Sequence, residues 1–116
     1  MRFRALPVAV LAALLAAPAA QAYTTFYGTV GPGTTIVLKR ADGTVVRNAR
    51  HGNKTFVIRD RSSSHNFHLY GPGIDRHTGI AFVGKRTWTP LLLKVGRYTI
   101  VCDRHPLTML KHFDVS

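Results

Sequence analysis

The sequence contains one cysteine, Cys102, and no glutamate. A single cysteine cannot form a disulfide within the chain, and covalent haem attachment is excluded because its motif needs a second cysteine. With five aspartates as the only carboxylate side chains, few residues are available for general acid–base catalysis. These absences argue against a disulfide-stabilised scaffold and against most hydrolytic enzymes.

The chain also lacks any run of five basic residues, although its net charge is +11. The lysines and arginines occur in ones and twos, and no stacking aromatics are interleaved with them. This pattern is not typical of a nucleic-acid-binding protein, so no nucleic-acid partner is expected. The charge fits an acidic protein partner, an anionic surface or simply a well-solvated exterior.

The first 22 residues have the pattern of a secretory signal peptide. Arg2 and Arg4 precede an apolar stretch over residues 5–17, and Ala20-Gln21-Ala22 supplies the small residues of a cleavage site. The stretch is shorter than the roughly 20 apolar residues of a membrane helix, so stable membrane insertion is not expected. We predict an exported, periplasmic or extracellular domain over residues 23–116. Without Arg2 and Arg4, 14 of the 16 lysines and arginines face five aspartates, a net charge near +9.

The remaining residues have the pattern of an all-β domain. Short runs rich in β-branched and aromatic residues alternate with Gly, Pro and Asp turns at roughly ten-residue spacing. Asp42-Gly43 is a typical tight-hairpin turn, and the glycine-rich connection 71–84 is long enough to cross between sheets. No helix beyond a single turn in that connection is expected. The predicted strands are residues 23–29, 35–39, 45–47, 54–59, 65–70, 86–93, 97–102 and 111–115.

The surroundings of Cys102 indicate a metal site. His105 and Met109 follow it within one short loop, and His65 supplies a second imidazole upstream. Two histidines, a thiolate and a weak axial thioether form the ligand set of an electron-transfer copper site. Strand alternation places Cys102 on the core-facing side of its strand. A buried free thiol beside an ordinary core methionine is the alternative.

Other metal and catalytic sites fit these residues less well. A structural zinc site usually has four strong nitrogen or sulfur donors. A Cys/His hydrolase needs a thiol that is exposed at a cleft. His68 lies three residues beyond His65 and faces the other way by strand parity, so we expect it to be an ordinary surface or packing histidine.

Residues 64–67 and 96–105, together with Met109, resemble the cupredoxins, the small blue copper proteins that include plastocyanin and azurin. The resemblance implies a Greek-key β-sandwich with one type 1 copper ion. It also implies that His65, Cys102 and His105 are equatorial ligands and that Met109 is the axial ligand. Asn66 matches a position that braces the ligand loop and hydrogen-bonds toward the thiolate.

We therefore expect an exported cupredoxin that transfers single electrons to or from an acidic redox partner. Such a protein is an electron carrier and not an enzyme. Two alternatives remain open from the sequence. One is a copper carrier or storage protein with the same ligands, and the other is a metal-free β-sandwich that acts as a binding module.

Overall fold

The computed structural model describes Ala5 and residues 22–116. The predicted signal peptide therefore lies outside the described residues, apart from Ala5 and Ala22, and its cleavage remains a prediction. In the described part of the chain, no helix is long and apolar enough to cross a membrane. The regular elements there are nine strands: β1 Thr24–Val30, β2 Ile36–Arg40, β3 Asn48–Ala49, β4 Gly52–Asp60, β5 His68–Gly71, β6 Ile74–His77, β7 Gly84–Leu93, β8 Gly96–Val101 and β9 Leu110–Val115.

The strands form two sheets, which confirms the predicted all-β Greek-key sandwich. Sheet A has the order β2-β1-β4-β7, and sheet B has the order β3-β9-β8-β5-β6. The pairs β1/β4 and β3/β9 are parallel, whereas the other neighbouring strands are antiparallel. Between β2 and β4 the chain leaves sheet A and adds β3 to sheet B.

The core lies between the two sheets and follows strand alternation. In β4, Phe56 and Ile58 are fully buried, whereas Arg59 between Ile58 and Asp60 is exposed. Gly28 of β1 faces this core, where a Cβ would lie 2.6 Å from atoms of Ile58 and Phe67. The missing side chain at residue 28 therefore gives the Phe67 ring room to pack between the sheets.

The predicted Asp42-Gly43 turn is confirmed. The Gly43 N–H donates to the Arg40 carbonyl at 3.0 Å, and the Asp42 carboxylate accepts from the Thr44 N–H at 2.9 Å. Gly43 has a φ of 87°, a conformation that glycine adopts without a steric penalty.

Two strand predictions were wrong in detail. Of residues 45–47, only Val45 forms a bridge, with Lys39, and the strand in this region is Asn48–Ala49. The strand predicted to start at His65 starts at His68, because the Phe67 N–H bonds to the Thr78 hydroxyl at 2.9 Å instead of to a neighbouring strand. The connection 71–84 also contains an unpredicted strand, β6, before it crosses to sheet A.

Candidate metal centre

Cys102 lies immediately after β8, where the chain turns into a short loop that leads to β9. Main-chain hydrogen bonds close this loop: the Cys102 N–H donates to the Met109 carbonyl at 3.0 Å, and the N–H of His105 donates to the Cys102 carbonyl at 3.0 Å. The Met109 N–H in turn donates to the His105 carbonyl at 2.9 Å. The loop therefore fixes the backbones of three predicted ligands within one compact unit.

The fourth predicted ligand, His65, reaches this unit from the loop between β4 and β5. Its Nδ1 lies 3.7 Å from the Cys102 Sγ. Its ring meets the His105 ring edge to face, with 4.8 Å between centroids. Cys102 and Met109 are wholly buried, His65 is half-buried and His105 is exposed. Cys102, His65 and His105 thus meet at one end of the sandwich, and Met109 lies buried at the end of the same loop.

The distance between Cys102 and His65 fits two donors to one ion. Metal bonds of about 2.3 Å to sulfur and about 2.0 Å to imidazole nitrogen, at a tetrahedral to trigonal angle, place the donors roughly 3.6 Å apart. Among the described residues, however, no group of three or more His, Cys, Asp or Glu side chains is arranged to hold a metal ion. The donor types and the Cys102–His65 pair fit a soft metal such as copper, and the pair is the part of the set that already has a suitable geometry.

Asn66 joins the two loops of the site. This side chain is 2% exposed. Its Oδ1 accepts from the Asp103 N–H at 2.9 Å, and its Nδ2 donates to the Asp103 carboxylate at 2.7 Å and to the Thr78 carbonyl at 3.1 Å. The prediction that Asn66 braces the ligand loop is confirmed. Its described hydrogen bonds go to Asp103 and Thr78, and none of them is to the thiol.

Asp60 anchors the other end of the loop that carries His65. Its carboxylate is 1% exposed and accepts from the Ser62 N–H at 3.0 Å and from the Thr78 hydroxyl at 3.1 Å. Desolvation by burial raises the pKa of Asp60 despite these hydrogen bonds. Thr78 thus bonds to residues at both ends of this loop, since it also accepts from the Phe67 N–H.

His68 is not the ordinary surface or packing histidine that strand parity predicted. Its Nδ1 lies 2.7 Å from an Asp103 oxygen, and its Nε2 lies 2.6 Å from an Asp75 oxygen. An ionised carboxylate can only accept hydrogen bonds, so both contacts are satisfied when both ring nitrogens donate, as they do in an imidazolium. The side chain is 20% exposed.

The pKa values of His68 and Asp103 agree with this ion pair. Desolvation opposes the charge on His68, but the hydrogen bonds to Asp103 and Asp75 outweigh it and raise the pKa of His68 above its ordinary value. Desolvation likewise opposes the charge on Asp103, but the bonds from His68 and Asn66 hold the pKa of Asp103 below its usual value. We call Asp75, His68 and Asp103 the histidine bridge, because they link the β5–β6 hairpin to the ligand loop.

Comparison with known proteins finds distant structural similarity. No family model and no curated protein matches the chain. Among solved structures, reduced rusticyanin aligns over 79% of this chain and 78% of its own, with 16% identity and a TM-score of 0.47. A methionine-to-glutamine mutant of rusticyanin aligns over 79% of this chain and 76% of its own, with 17% identity and a TM-score of 0.46. These similarities are distant, and the all-β sandwich is established from the chain's own two sheets and their strand order.

Proposed function

We propose that the chain is an exported type 1 copper protein that transfers single electrons. His65, Cys102, His105 and Met109 would hold the ion. The observation that carries the proposal is the 3.7 Å separation between the Cys102 Sγ and the His65 Nδ1, with the His105 ring packed against the His65 ring. Copper, when bound, would supply a one-electron couple between Cu(I) and Cu(II).

The chain's own residues fit this task in three ways. Cys102 and Met109 are wholly buried, so their sulfurs are shielded from water and oxidants. The Asn66 hydrogen bonds fix the two loops against each other, which limits rearrangement between oxidation states. His105 is exposed and lies near Leu107, whose exposure is 91%. Electrons would therefore have a short route to a partner at this end of the sandwich.

Spectroscopy on the copper-loaded protein tests the proposal. Adding Cu(II) to the purified apo-protein should produce an intense blue band from charge transfer between the Cys102 thiolate and the metal. Cys102→Ala should abolish the band. A colourless complex, or a band that survives this substitution, contradicts the proposal.

A matched pair of histidine variants tests the ligand assignment. His65→Ala should abolish the blue band, because the imidazole that faces the thiol is lost. His68→Ala should retain it, since the His68 nitrogens bond to Asp75 and Asp103. The reverse result would show that His68 and not His65 is the upstream ligand.

A variant beside the exposed histidine separates electron transfer from copper delivery. Leu107→Asp should slow electron exchange with an acidic redox protein and leave the blue spectrum unchanged, because it alters docking and not the ligands. The net charge predicts that exchange also slows as salt screens the attraction. A protein that keeps its blue spectrum, exchanges no electrons with protein or small-molecule donors and hands Cu(I) to an acceptor is a copper carrier.

A further inference from the structure

The outer face of sheet A carries a second feature, separate from the candidate metal centre. We infer that this face is a docking surface for an acidic protein. We call it the basic face and define it by its outward-pointing side chains. They are Thr25, Tyr27 and Thr29 of β1, Val37 and Lys39 of β2, Thr55, Val57 and Arg59 of β4, and Lys85, Thr87 and Thr89 of β7.

Strand register places the members of the basic face side by side. Arg59 lies directly opposite Lys85, and Tyr27 lies between Lys39 and Val57. The three cations are exposed, and Tyr27 is 43% exposed. The alternate residues of the same strands point into the core, so the orientation follows from the pleat.

No carboxylate balances the charge of this face. The chain has only five acidic residues, and the described structure places all of them elsewhere. Asp60 points inward and is 1% exposed, and Asp114 pairs with Arg97 on sheet B at 3.1 Å. Asp75 and Asp103 bond to His68, and Asp42 lies in the turn after β2, bonded to Thr44. The positive charge on sheet A is therefore uncompensated.

The pair Arg59–Lys85 lowers the stability of the protein when no partner is bound, because the two cations lie directly opposite each other. Like charges directly opposite each other across two strands destabilise a sheet. Local stability therefore does not explain the placement of two cations there. A carboxylate from another molecule would lie between the two side chains and relieve their repulsion.

The composition of the basic face distinguishes among anionic partners. Its middle is Tyr27 and Val57, with cations and hydroxyls around them, and an apolar or aromatic centre with a polar rim is typical of protein interfaces. A single aromatic provides no row of stacking platforms for nucleic acid, and the face contains no Trp, Phe or Leu to enter a lipid layer. Four strands about 4.8 Å apart and roughly 20 Å long give an area of a few hundred Å². An area of this size fits a weak, transient protein encounter.

Titration of the purified apo-protein with an acidic polypeptide tests the inference. Poly-L-glutamate is added at low ionic strength, and amide chemical shifts are followed by NMR. Shifts should concentrate in β1, β4 and β7 and disappear at high salt. Because no copper is used, failure of this experiment is distinct from failure of the proposed electron transfer.

Two variants that lose the same charge make the test specific. Arg59→Thr/Lys85→Thr should weaken poly-L-glutamate binding about tenfold or more, since two face charges are lost and residues that favour strands replace them. Arg76→Thr/Lys94→Thr changes two exposed cations outside the basic face and should weaken binding less than about threefold. A thermal unfolding midpoint at or above that of the parent confirms that the first variant is folded.

Three outcomes would overturn the inference. Equal weakening in the two variants would mean that net charge alone drives binding. Shifts confined to other strands would place the docking surface elsewhere. Binding to heparin or to phosphatidylglycerol vesicles through the basic face, with no binding of poly-L-glutamate, would assign the face to a sulfated polymer or a membrane.

Discussion

Replacing His68 should expose the energetic contribution of the histidine bridge. His68→Gln removes an imidazolium that donates to two carboxylates, at 2.7 Å to Asp103 and 2.6 Å to Asp75. Hydrogen bonds to charged groups contribute about 1.5–3 kcal/mol each when buried, and exposed ion pairs about 0.2–1 kcal/mol. Asp103 is 47% exposed and Asp75 is 73% exposed, so both carboxylates regain water. We expect a loss of about 1–2 kcal/mol at pH 5.5, or roughly 5–10 °C in Tm for a domain of this size.

The pH dependence of this loss distinguishes a charge effect of His68 from a packing effect. The pKa of His68 is raised in the folded state, so its contribution is fully present below the ordinary histidine pKa of about 6.5. It is lost as the pH rises through the raised folded value. The pKa of Asp103 is lowered, so its contribution is present above its ordinary pKa of about 3.9 and is lost as the pH falls through the lowered folded value. The bridge therefore contributes most between about pH 4 and 6.5.

Urea unfolding of the parent and of His68→Gln, at pH 5.5 and pH 9, measures the effect. The free-energy difference should be largest at pH 5.5 and should shrink at pH 9. His112→Gln is the control, because the hydrogen bond described for the His112 ring is to a neutral group, the Thr99 hydroxyl, at 3.1 Å. A difference between parent and His68→Gln that is the same at both pH values would refute the reasoning, since it would show that His68 acts through packing and not through charge.

Three further variants test the fold. Gly28→Ala should destabilise the protein by about 1–3 kcal/mol in urea unfolding, because the new Cβ would lie 2.6 Å from the Phe67 ring. A neutral result would mean that the core is loosely packed there. Tyr98→Phe should lower the free energy of unfolding by about 1–2 kcal/mol, since the hydroxyl bonds to two main-chain groups, at 2.9 and 2.7 Å. An unchanged denaturation midpoint would show that water replaces these bonds. Lys85→Glu should raise the free energy of unfolding by about 0.5–1 kcal/mol at low salt, because it places an opposite charge across from Arg59. The gain should vanish in 1 M salt.

The sequence pattern correctly predicted the features that depend on neighbouring residues in the chain, namely side-chain alternation along strands and the tight turn. Strand alternation correctly placed Tyr98, Ile100 and Cys102 in the core, where each is at most 1% exposed. The Asp42-Gly43 turn was also predicted, because its residue types favour one conformation regardless of what surrounds them. Cys102 and His105 are three residues apart, so the loop after β8 brings them close without tertiary information.

The features that the sequence did not reveal depend on non-local contacts. The role of His68 requires Asp75, which β6 places beside it, and Asp103, which lies 35 residues further along the chain. Strand parity gave the direction in which His68 points and could not give its partners. The start of β5 was missed for a similar reason, since a side-chain bond from Thr78 replaces a ladder bond at Phe67.

The hydrogen bonds around Asp103 have a consequence for the choice between electron transfer and copper delivery. Asp103 follows Cys102 directly and is held by Asn66 through its main chain and by Asn66 and His68 through its carboxylate. Asn66, His68 and Asp103 are not predicted ligands, so their hydrogen bonds fix the cysteine end of the loop independently of an ion. A fixed set of donors favours electron transfer, because the ligands need move little when the charge on the metal changes. A carrier must instead open its site to release the ion, and here opening would break the two charge-assisted hydrogen bonds to the Asp103 carboxylate. Of the two predicted histidine ligands, His105 is exposed and His65 is half-buried. A copper carrier would therefore have to release the ion on the side of the site that His105 occupies.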